Sequence, residues 1–444
     1  MLLSFRFANH RSFRDEQQLN LTPAYRDDED ARAVRVVGVF GANASGKSNC
    51  LHALSFMRRF VIFSDREVEP GLGVPREPYR MTPDSLDASS HYVVDIELGG
   101  VRHTYGFTLD NDGVLNEWLY HYPLRRKRRV FERTGDSYAW GEESSQRVML
   151  ERIAEVTAPT ALFLSTVSRF DNRPAGPDEA SPEPLRDTYR WFQKMSSRHQ
   201  PHSVNRIPLN GSGWPESGAS RSTLIELLRA ADVGIVDVVE VTTTVTEEAA
   251  FSFAPSKPNR DGKVGMPRNA RNRGSARGKR LKFAHQGPVG EVLFELAEES
   301  TGTQQLLGLA IEAATVLDGG GTMCVDEIDA SLHPLLTAKL IGLFQSSVSN
   351  PRHSQLIFTS HDAALLGTID TEEILHRDEI WFAEKDSEGA STLYPLTDFK
   401  PRKEGENRQR RYLNGNYGAV PDLSAYLFEQ AIAARGQADD EATE

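Results

Sequence analysis

The residues best suited to chemistry lie in a glycine-rich loop. Residues 41–48 read GANASGKS, which fits the phosphate-binding pattern G-x4-G-K-[ST], between a β-branched run and a probable helix. Glycines let backbone N–H groups wrap around phosphates, and the helix N-terminus adds a favourable dipole. We therefore predict that Lys47 reaches the β- and γ-phosphates of a nucleotide and that Ser48 holds Mg²⁺. The predicted nucleotide-binding residues here are Gly41, Asn43, Ala44, Ser45, Gly46, Lys47, Ser48 and Asn49.

Two acids follow a second apolar strand, Thr322-Met-Cys-Val. An acid at a strand end can face a phosphate-bound metal, so we assign Asp326 to the Mg²⁺ shell, through a water molecule. Glu327, the next residue, is expected to polarise the attacking water. The alternative is that both acids only cap the following helix.

A histidine follows a third apolar strand, Ile357-Phe-Thr-Ser. At a strand end, His361 can donate a hydrogen bond to a γ-phosphate or to the attacking water. A lone histidine would otherwise be an ordinary surface residue. Its position after the other two motifs favours the functional interpretation.

A second anion-binding turn precedes another helix. Ser300 can cap that helix, and Gly302 lets an anion approach the backbone. One chain rarely needs two such helix starts for a single γ-phosphate, whereas two chains arranged head to tail do. We therefore predict that Ser300 and Gly302 contact the nucleotide of a second copy. The alternative is an ordinary helix cap.

The composition is that of an ordinary globular protein. The chain has 444 residues, of which 39% are apolar and 26% charged, enough for two or three packed lobes. No apolar run is long enough to span a membrane, and charges interrupt the N-terminus where a signal peptide needs an apolar core. Cys50 and Cys324 are too few for a disulfide framework, so we expect buried, reduced thiols in a cytoplasmic protein.

Positive charge is concentrated locally. The net charge is −12, from 51 basic and 63 acidic residues, but residues 257–282 hold ten Lys or Arg and one acid; the rest, with 41 basic and 62 acidic residues, carries −21. This segment could contact DNA or RNA, bind an acidic partner, or act as an inert linker. Residues 125–129 form either a phosphate-contacting tip or a solvated hairpin end. Another candidate surface comprises Lys400, Arg402, Lys403, Arg408, Arg410 and Arg411.

The pattern of elements predicts an α/β fold. It consists of a P-loop head with an antiparallel β-meander and an inserted helical lobe. The predicted divisions are residues 1–75 and 283–432 for the two parts of the head, 76–145 for the antiparallel β subdomain, 146–254 for the helical insertion, 255–282 for a basic flexible arm and 433–444 for a disordered tail.

The order of these motifs, with DEIDASLHP at 326–334 and TSHD at 359–362, resembles the ABC-type ATPase heads of the SMC, RecF and OLD group. Residues 2–13 look like the opening hairpin of that group. The resemblance implies that ATP is sandwiched between two protomers and that Ser300 and Gly302 act as the signature motif across the dimer. It also implies that His361 is the switch histidine. The loop linking the two sites would contain Asp329, Ser331 and His333.

A narrower resemblance covers nearly the whole chain. GANASGKSN, EESTGTQ, DEIDASLHPLL and RRYLNGNYGAVP look like the AAA15-type ATPases of bacterial defence operons, such as the AbiL, RloA, PARIS and Septu ATPases. The sequence departs from the ABC pattern in reading STGTQ for SGGQ and in having His333 where the D-loop has an acid. No glutamine has a convincing Q-loop context, the candidates being Gln146 and Gln286.

The resemblance implies an ATP- and Mg²⁺-dependent ATPase that forms a homodimer or higher homo-oligomer. It would control an effector from the same operon, such as a TOPRIM- or HNH-type nuclease, in antiphage defence. Only 83 residues follow His361, so we expect any nuclease to be a separate protein. The alternatives are a RecF-like DNA-binding repair or recombination ATPase and a scaffold that binds nucleotide with little turnover.

Overall fold

The computed structural model describes residues 1–25, 32–67, 73–141, 147–170, 184–198, 224–226, 228–229, 231, 234–244, 277–369, 371–402 and 405–421. The strands in these ranges are β1 (Leu2–Ala8), β2 (Gln17–Asn20), β3 (Val36–Phe40), β4 (Ser90–Leu98), β5 (Val101–Leu109), β6 (Val114–His121), β7 (Arg128–Thr134), β8 (Ser137–Trp140), β9 (Ser196–Arg198), β10 (Ile235–Thr244), β11 (Arg277–Gln286), β12 (Glu291–Glu295), β13 (Thr322–Val325), β14 (Gln355–Thr359), β15 (Thr368–Ile369), β16 (Glu372–Glu373), β17 (Ile380–Lys385) and β18 (Ser391–Pro395). The α-helices are α1 (Lys47–Glu67), α2 (Pro83–Asp87), α3 (Arg147–Glu155), α4 (Phe163–Phe170), α5 (Pro184–Lys194), α6 (Thr301–Gly319), α7 (Pro334–Gln345) and α8 (Arg408–Leu413).

A mostly parallel sheet lies in the first of two compact units, which comprises Met1–His199, Gly319–Asp329 and His333–Glu444. Its strand order is β18-β17-β3-β14-β13-β9, and only the edge strand β18 is antiparallel to its neighbour. Every residue of β3, β13 and β14 is buried, as expected where both faces of a parallel sheet are covered. The carboxyl ends of these three strands meet at one edge, so the residues that follow them come together.

The second sheet of this unit is antiparallel, in the order β2-β1-β4-β5-β6-β7-β8. Helix α1 packs on its apolar face, where the ring centres of Phe56 and Tyr92 are 5.0 Å apart and those of Phe60 and Phe107 are 5.6 Å apart. The predicted α/β class with an antiparallel meander is confirmed. The meander also contains β1 and β2, so a division at residue 75 separates strands that pair in one sheet.

The region predicted as a helical insertion contains α3, α4 and α5 but also two strands, the short β9 and the longer β10. Ser196–Arg198 runs parallel to β13, with Ser196 opposite Met323, and extends the parallel sheet by one strand. Two serines and an arginine carry no apolar periodicity, which explains why the sequence pattern did not indicate this strand.

The second compact unit comprises Gln200–Asp318 and Ala330–Leu332. It contains the antiparallel sheet β10-β11-β12 and most of α6, whose apolar residues pack with that sheet in a core that includes Val238, Phe283 and Leu307. Strand β11 begins at Arg277, so residues 277–282 of the predicted basic arm are strand. Residues 255–276 and the predicted tail, 433–444, lie outside the described residues. Among the helices described, none combines the length and apolar character needed to cross a bilayer.

Candidate nucleotide-binding site

The loop between β3 and α1 has a backbone that explains its glycines. The φ angles of Gly41, Ala44 and Gly46 are 153°, 62° and 112°. A methyl group at position 41 would lie 2.3 Å from the carbonyl oxygen of Ala383, and one at position 46 would lie 2.5 Å from Oγ of Ser391. Both positions therefore require glycine, and β17 and β18 support the loop from one side.

Lys47 is folded back into this loop. Its Nζ donates hydrogen bonds to the carbonyl oxygens of Gly41 at 2.7 Å and Ala42 at 2.8 Å, and the residue is only 4% exposed. Burial lowers the pKa of Lys47 to about 8. The carboxylates of Asp326, Glu327 and Asp329 act in the opposite direction, because their negative charges favour the protonated amine.

The loop has polar groups that could bind phosphate and an oxygen atom that could bind Mg²⁺. Oγ of Ser45 is buried and has no hydrogen-bond partner among the described residues, so a polar group is ready to meet a ligand. Ser48, in the first turn of α1, is exposed, as is Asn43. These residues fit a bound nucleotide, with Lys47 and the loop amides on its phosphates. An exposed hydroxyl at Ser48 and a carboxylate at Asp326 are oxygen ligands of the kind that Mg²⁺ takes.

The two acids after β13 are fixed by Thr359, at the end of the neighbouring strand β14. Oγ1 of Thr359 donates to Oδ1 of Asp326 at 2.6 Å and accepts from the backbone N–H of Glu327 at 2.8 Å. The carbonyl of Thr359 accepts from the N–H of Ile328 at 3.1 Å, and the carbonyl of Arg198 in β9 accepts from the N–H of Asp326 at 2.9 Å. Glu327 has a φ of 52°, in the left-handed region that residues other than glycine seldom adopt.

Glu327 and His361 lie side by side at this sheet edge. Nε2 of His361 is 3.6 Å from Oε1 of Glu327, and their side chains are 38% and 43% exposed. In such a pair the partly exposed carboxylate can accept a proton from water, and the imidazole can donate an N–H hydrogen bond to an anion. The next helix, α7, is capped by His333, whose Nδ1 accepts from the N–H of Leu335 at 3.2 Å. The acids therefore do not cap that helix.

The predicted loop linking two sites divides between the two compact units. Oδ1 of Asp329, in the first unit, is buried without a hydrogen-bond partner among the described residues. His333 serves as a helix cap, which gives it a structural role at the position where the D-loop of the ABC pattern has an acid. Ser331 belongs to the second unit and has a φ of 61°.

In the second unit, Ser300 caps α6. Its Oγ accepts from the N–H of Thr303 at 3.1 Å and is 2.8 Å from Oγ1 of the same threonine. Gly302 packs closely against the backbone of Ser331. A methyl group at position 302 would lie only 2.7 Å from the carbonyl oxygen of Ser331, so the position requires glycine. The structure thus places Ser300, Gly302 and Ser331 together. Thr303, the departure from SGGQ, has a local role as a partner of the capping hydroxyl.

Sequence reasoning missed two supporting residues, Thr359 and Ser12. Nδ2 of Asn49 donates to Oγ of Ser12 at 2.8 Å, as does Oγ of Ser391 at 2.8 Å, so the N-terminal hairpin, the start of α1 and β18 are joined at one hydroxyl. Both residues lie in segments that the motif comparison singled out, 2–13 and 359–362. Only the fold shows what their hydroxyls contact.

Some predicted surface and linker residues have other surroundings. Arg408 is buried, donating to the carbonyl of Leu375 at 3.0 Å and pairing with Glu373 at 2.7 Å, so the prediction that it forms part of a basic surface is wrong. Gln286 lies at the end of β11, in the second unit. Gln146 and Lys403 lie outside the described residues. Arg402 and Arg410 are exposed.

Residues 36–367 match a protein family described as "AAA domain, putative AbiEii toxin, Type IV TA system". Comparison with curated protein sequences gives no significant match. Among solved structures, the SMC head domain from Thermotoga maritima is similar, with 13% identity and a TM-score of 0.40, covering 89% of this chain and 98% of that chain. The family match confirms the predicted resemblance at the level of the nucleotide-binding domain and spans the loop, the two acids and His361. Because it includes well over half of the residues, the chain belongs to this family of AAA domains.

Proposed function

We propose that the protein is an ATPase in which two copies close around ATP and Mg²⁺. The observation that carries this proposal is the placement of Glu327 and His361, 3.6 Å apart, at the sheet edge where the phosphate-binding loop also lies. A general base beside a hydrogen-bond donor, next to a phosphate site, is what hydrolysis of a terminal phosphate requires.

Each side chain has a distinct task in this proposal. The Lys47 ammonium leaves its two carbonyl partners and binds phosphate oxygens, while the loop amides bind the remaining phosphate charge. Ser48 and Asp326 would hold Mg²⁺, which when bound neutralises developing charge on the phosphates. Glu327 accepts a proton from the attacking water, and His361 donates a hydrogen bond to the γ-phosphate.

Closure by a second copy is supported by the start of α6. This helix has 19 residues, its first turn contains no acid, and Ser300 with Gly302 forms its N-terminal turn. The N-terminus of such a helix attracts an anion through its free N–H groups and its dipole. In the proposed dimer, the anion is the γ-phosphate bound by the other copy.

The biological role we propose is control of a partner effector, such as a nuclease, in bacterial antiphage defence in the cytoplasm. The family description, with its toxin and toxin–antitoxin terms, supports this context. Opening and closing of the dimer would then restrain or release the effector. A RecF-like repair ATPase would share the same ATP chemistry but would have no toxic partner.

Light scattering with ATP and Mg²⁺ tests the dimer, and phosphate release tests hydrolysis. Glu327→Gln should double the mass in the presence of ATP and reduce phosphate release by at least 100-fold, because the base is lost while binding is kept. Glu372→Gln, at an exposed strand position, is the matched control and should behave like the parent. A monomer mass that ATP leaves unchanged in Glu327→Gln would rule out the sandwich. A dimer whose parent form releases no phosphate would favour a nucleotide-bound scaffold.

A further inference from the structure

The outer face of the antiparallel sheet carries a row of aromatic side chains. Trp118, Tyr120 and Tyr122 alternate along β6 and its end, so they share the face opposite to Leu119, which is fully buried in the core. The hydroxyls of Thr104 and Tyr122, 3.4 Å apart, show that Tyr122 continues the row beyond the strand. All three aromatic residues are half-buried, so each presents part of its surface to solvent.

Trp118 rests directly on the neighbouring strand. A methyl group at Gly106 would lie 2.5 Å from Cζ2 of the indole and 2.9 Å from Cγ2 of Val93. The ordinary explanation for such a pair is that an aromatic ring covers a glycine within a sheet. That explanation accounts for Trp118 alone. It does not account for the two tyrosines beside it or for the charges that accompany them.

Cations lie on the rings of both tyrosines. Nζ of Lys127 is 3.6 Å from the ring centre of Tyr120, and Cζ of Arg102 is 5.0 Å from the ring centre of Tyr122. Such cation–π contacts hold long basic side chains in fixed positions. The two tyrosines therefore orient positive charge, while the indole of Trp118 remains to stack on a planar ligand.

The turn after β6 adds further positive charge at one end of the row. Residues 125–129 are five consecutive basic residues, and all are exposed. Leu124, 91% exposed, and Arg125 both have left-handed φ angles, 52° and 62°, so the chain reverses sharply and presents these side chains together. This cluster is the tip that the sequence suggested could contact phosphates.

Two acids of this face are already engaged by their neighbours. Asp95 is buried and accepts hydrogen bonds from Ser4 at 2.9 Å and from Arg102 at 2.8 Å. Glu132 accepts from the hydroxyl of Tyr120 and from Arg129. Their charges are therefore largely balanced within the sheet, and Arg125, Arg126 and Lys127 are left to attract an anionic partner.

The geometry points to a binding site for single-stranded nucleic acid on this face, in which a base stacks on Trp118 and the phosphates meet Arg125, Arg126 and Lys127 of the basic turn. An aromatic ring in a sheet with cations beside it is the arrangement that accepts unpaired bases of any sequence. Paired bases in a duplex do not expose their ring faces, so a duplex would meet only the basic turn. The site is separate from the nucleotide loop and does not rest on the proposed ATPase function.

Fluorescence anisotropy with labelled 20-mers of deoxythymidine and of uridine, and with a 20-base-pair DNA duplex, tests the site on the full chain. Trp118→Leu keeps apolar cover over Gly106 but cannot stack, and should weaken binding of both single strands at least tenfold while leaving duplex binding unchanged. Replacing Arg125, Arg126 and Lys127 by serine should lower the slope of log affinity against log salt by about 2, since each single-strand phosphate contact contributes about 0.7. The matched control replaces three exposed basic residues outside both candidate surfaces by serine, namely Arg59, Arg152 and Lys339.

Melting temperature and ATP turnover of each variant distinguish a lost site from a lost fold, because none of these residues lies at the nucleotide loop. Whether deoxythymidine or uridine binds more tightly distinguishes DNA from RNA as the ligand. The inference is overturned if the wild-type protein binds neither single strand, if folded Trp118→Leu binds them as the parent does, or if the duplex competes equally and loses affinity with the same substitution.

Discussion

Oγ1 of Thr359 lies 2.6 Å from Oδ1 of Asp326 and 2.8 Å from the backbone nitrogen of Glu327. A hydroxyl has one proton to donate, and here it goes to the carboxylate, while a lone pair accepts from the amide. Thr359 is fully buried at the end of β14. One side chain therefore fixes both the acid expected to hold Mg²⁺ and the backbone that carries the expected general base.

Thr359→Val should reduce kcat for ATP hydrolysis by about 10- to 100-fold, the usual effect of losing a group that orients a metal ligand. Valine matches the shape of threonine, so the fold should persist while Asp326 loses its partner. Thr337→Val is the control, because Thr337 is also buried but its hydroxyl has no hydrogen-bond partner among the described residues. Equal kcat values for the two variants would mean that Thr359 has no orienting role.

Nucleotide affinity should fall as pH rises above about 8. Burial lowers the pKa of Lys47 from 10.5 to about 8, and phosphate binding requires the ammonium form, so binding takes up a proton above that pH. The affinity for a fluorescent ATP analogue should decrease about tenfold per pH unit between pH 8.5 and 10.

Lys47→Arg provides the control for this pH dependence, because a guanidinium stays protonated throughout the range. Its affinity is expected to be lower but independent of pH. For the free protein, the folded state binds fewer protons at Lys47 than the unfolded chain between about pH 8 and 10.5, so this residue's contribution to the free energy of unfolding rises with pH there. If the parent protein bound the ATP analogue with the same affinity from pH 7 to 10, the lowered pKa of Lys47 would be contradicted.

His361→Asn should lower kcat by about 100-fold with little change in nucleotide affinity, because its proposed hydrogen bond to the γ-phosphate is one of many that would hold the nucleotide but lies beside Glu327, where hydrolysis would occur. His353→Asn is a suitable control, since His353 is exposed and asparagine tolerates its φ of 54°. Single-turnover phosphate release and analogue binding separate the two effects. A raised KM with unchanged kcat would assign His361 to binding instead of to hydrolysis.

The features that follow from local chemistry could be predicted from the sequence. The glycines at 41 and 46, the strand of Val36–Phe40 and the helix after Lys47 all express local backbone and burial requirements. Contacts between distant segments could not be predicted, because they depend on which strands become neighbours. Thr359 contacts Asp326 only because β13 and β14 pair in parallel, and Ser196–Arg198 is a strand only because the edge of β13 is open to it.

Ser300 offers a way to separate helix capping from contact with a second copy. Ser300→Ala removes the oxygen that accepts from Thr303 and should cost about 1 kcal/mol of stability. Ser300→Asp keeps a capping oxygen and suits the helix dipole, so its stability should equal that of the parent. Its negative charge, however, would repel a γ-phosphate presented by another copy, so ATP should no longer produce a dimer in the Glu327→Gln background. Thermal melting of the two variants measures stability, and light scattering measures dimer formation with ATP. If Ser300→Asp still forms the dimer, this turn only caps its helix.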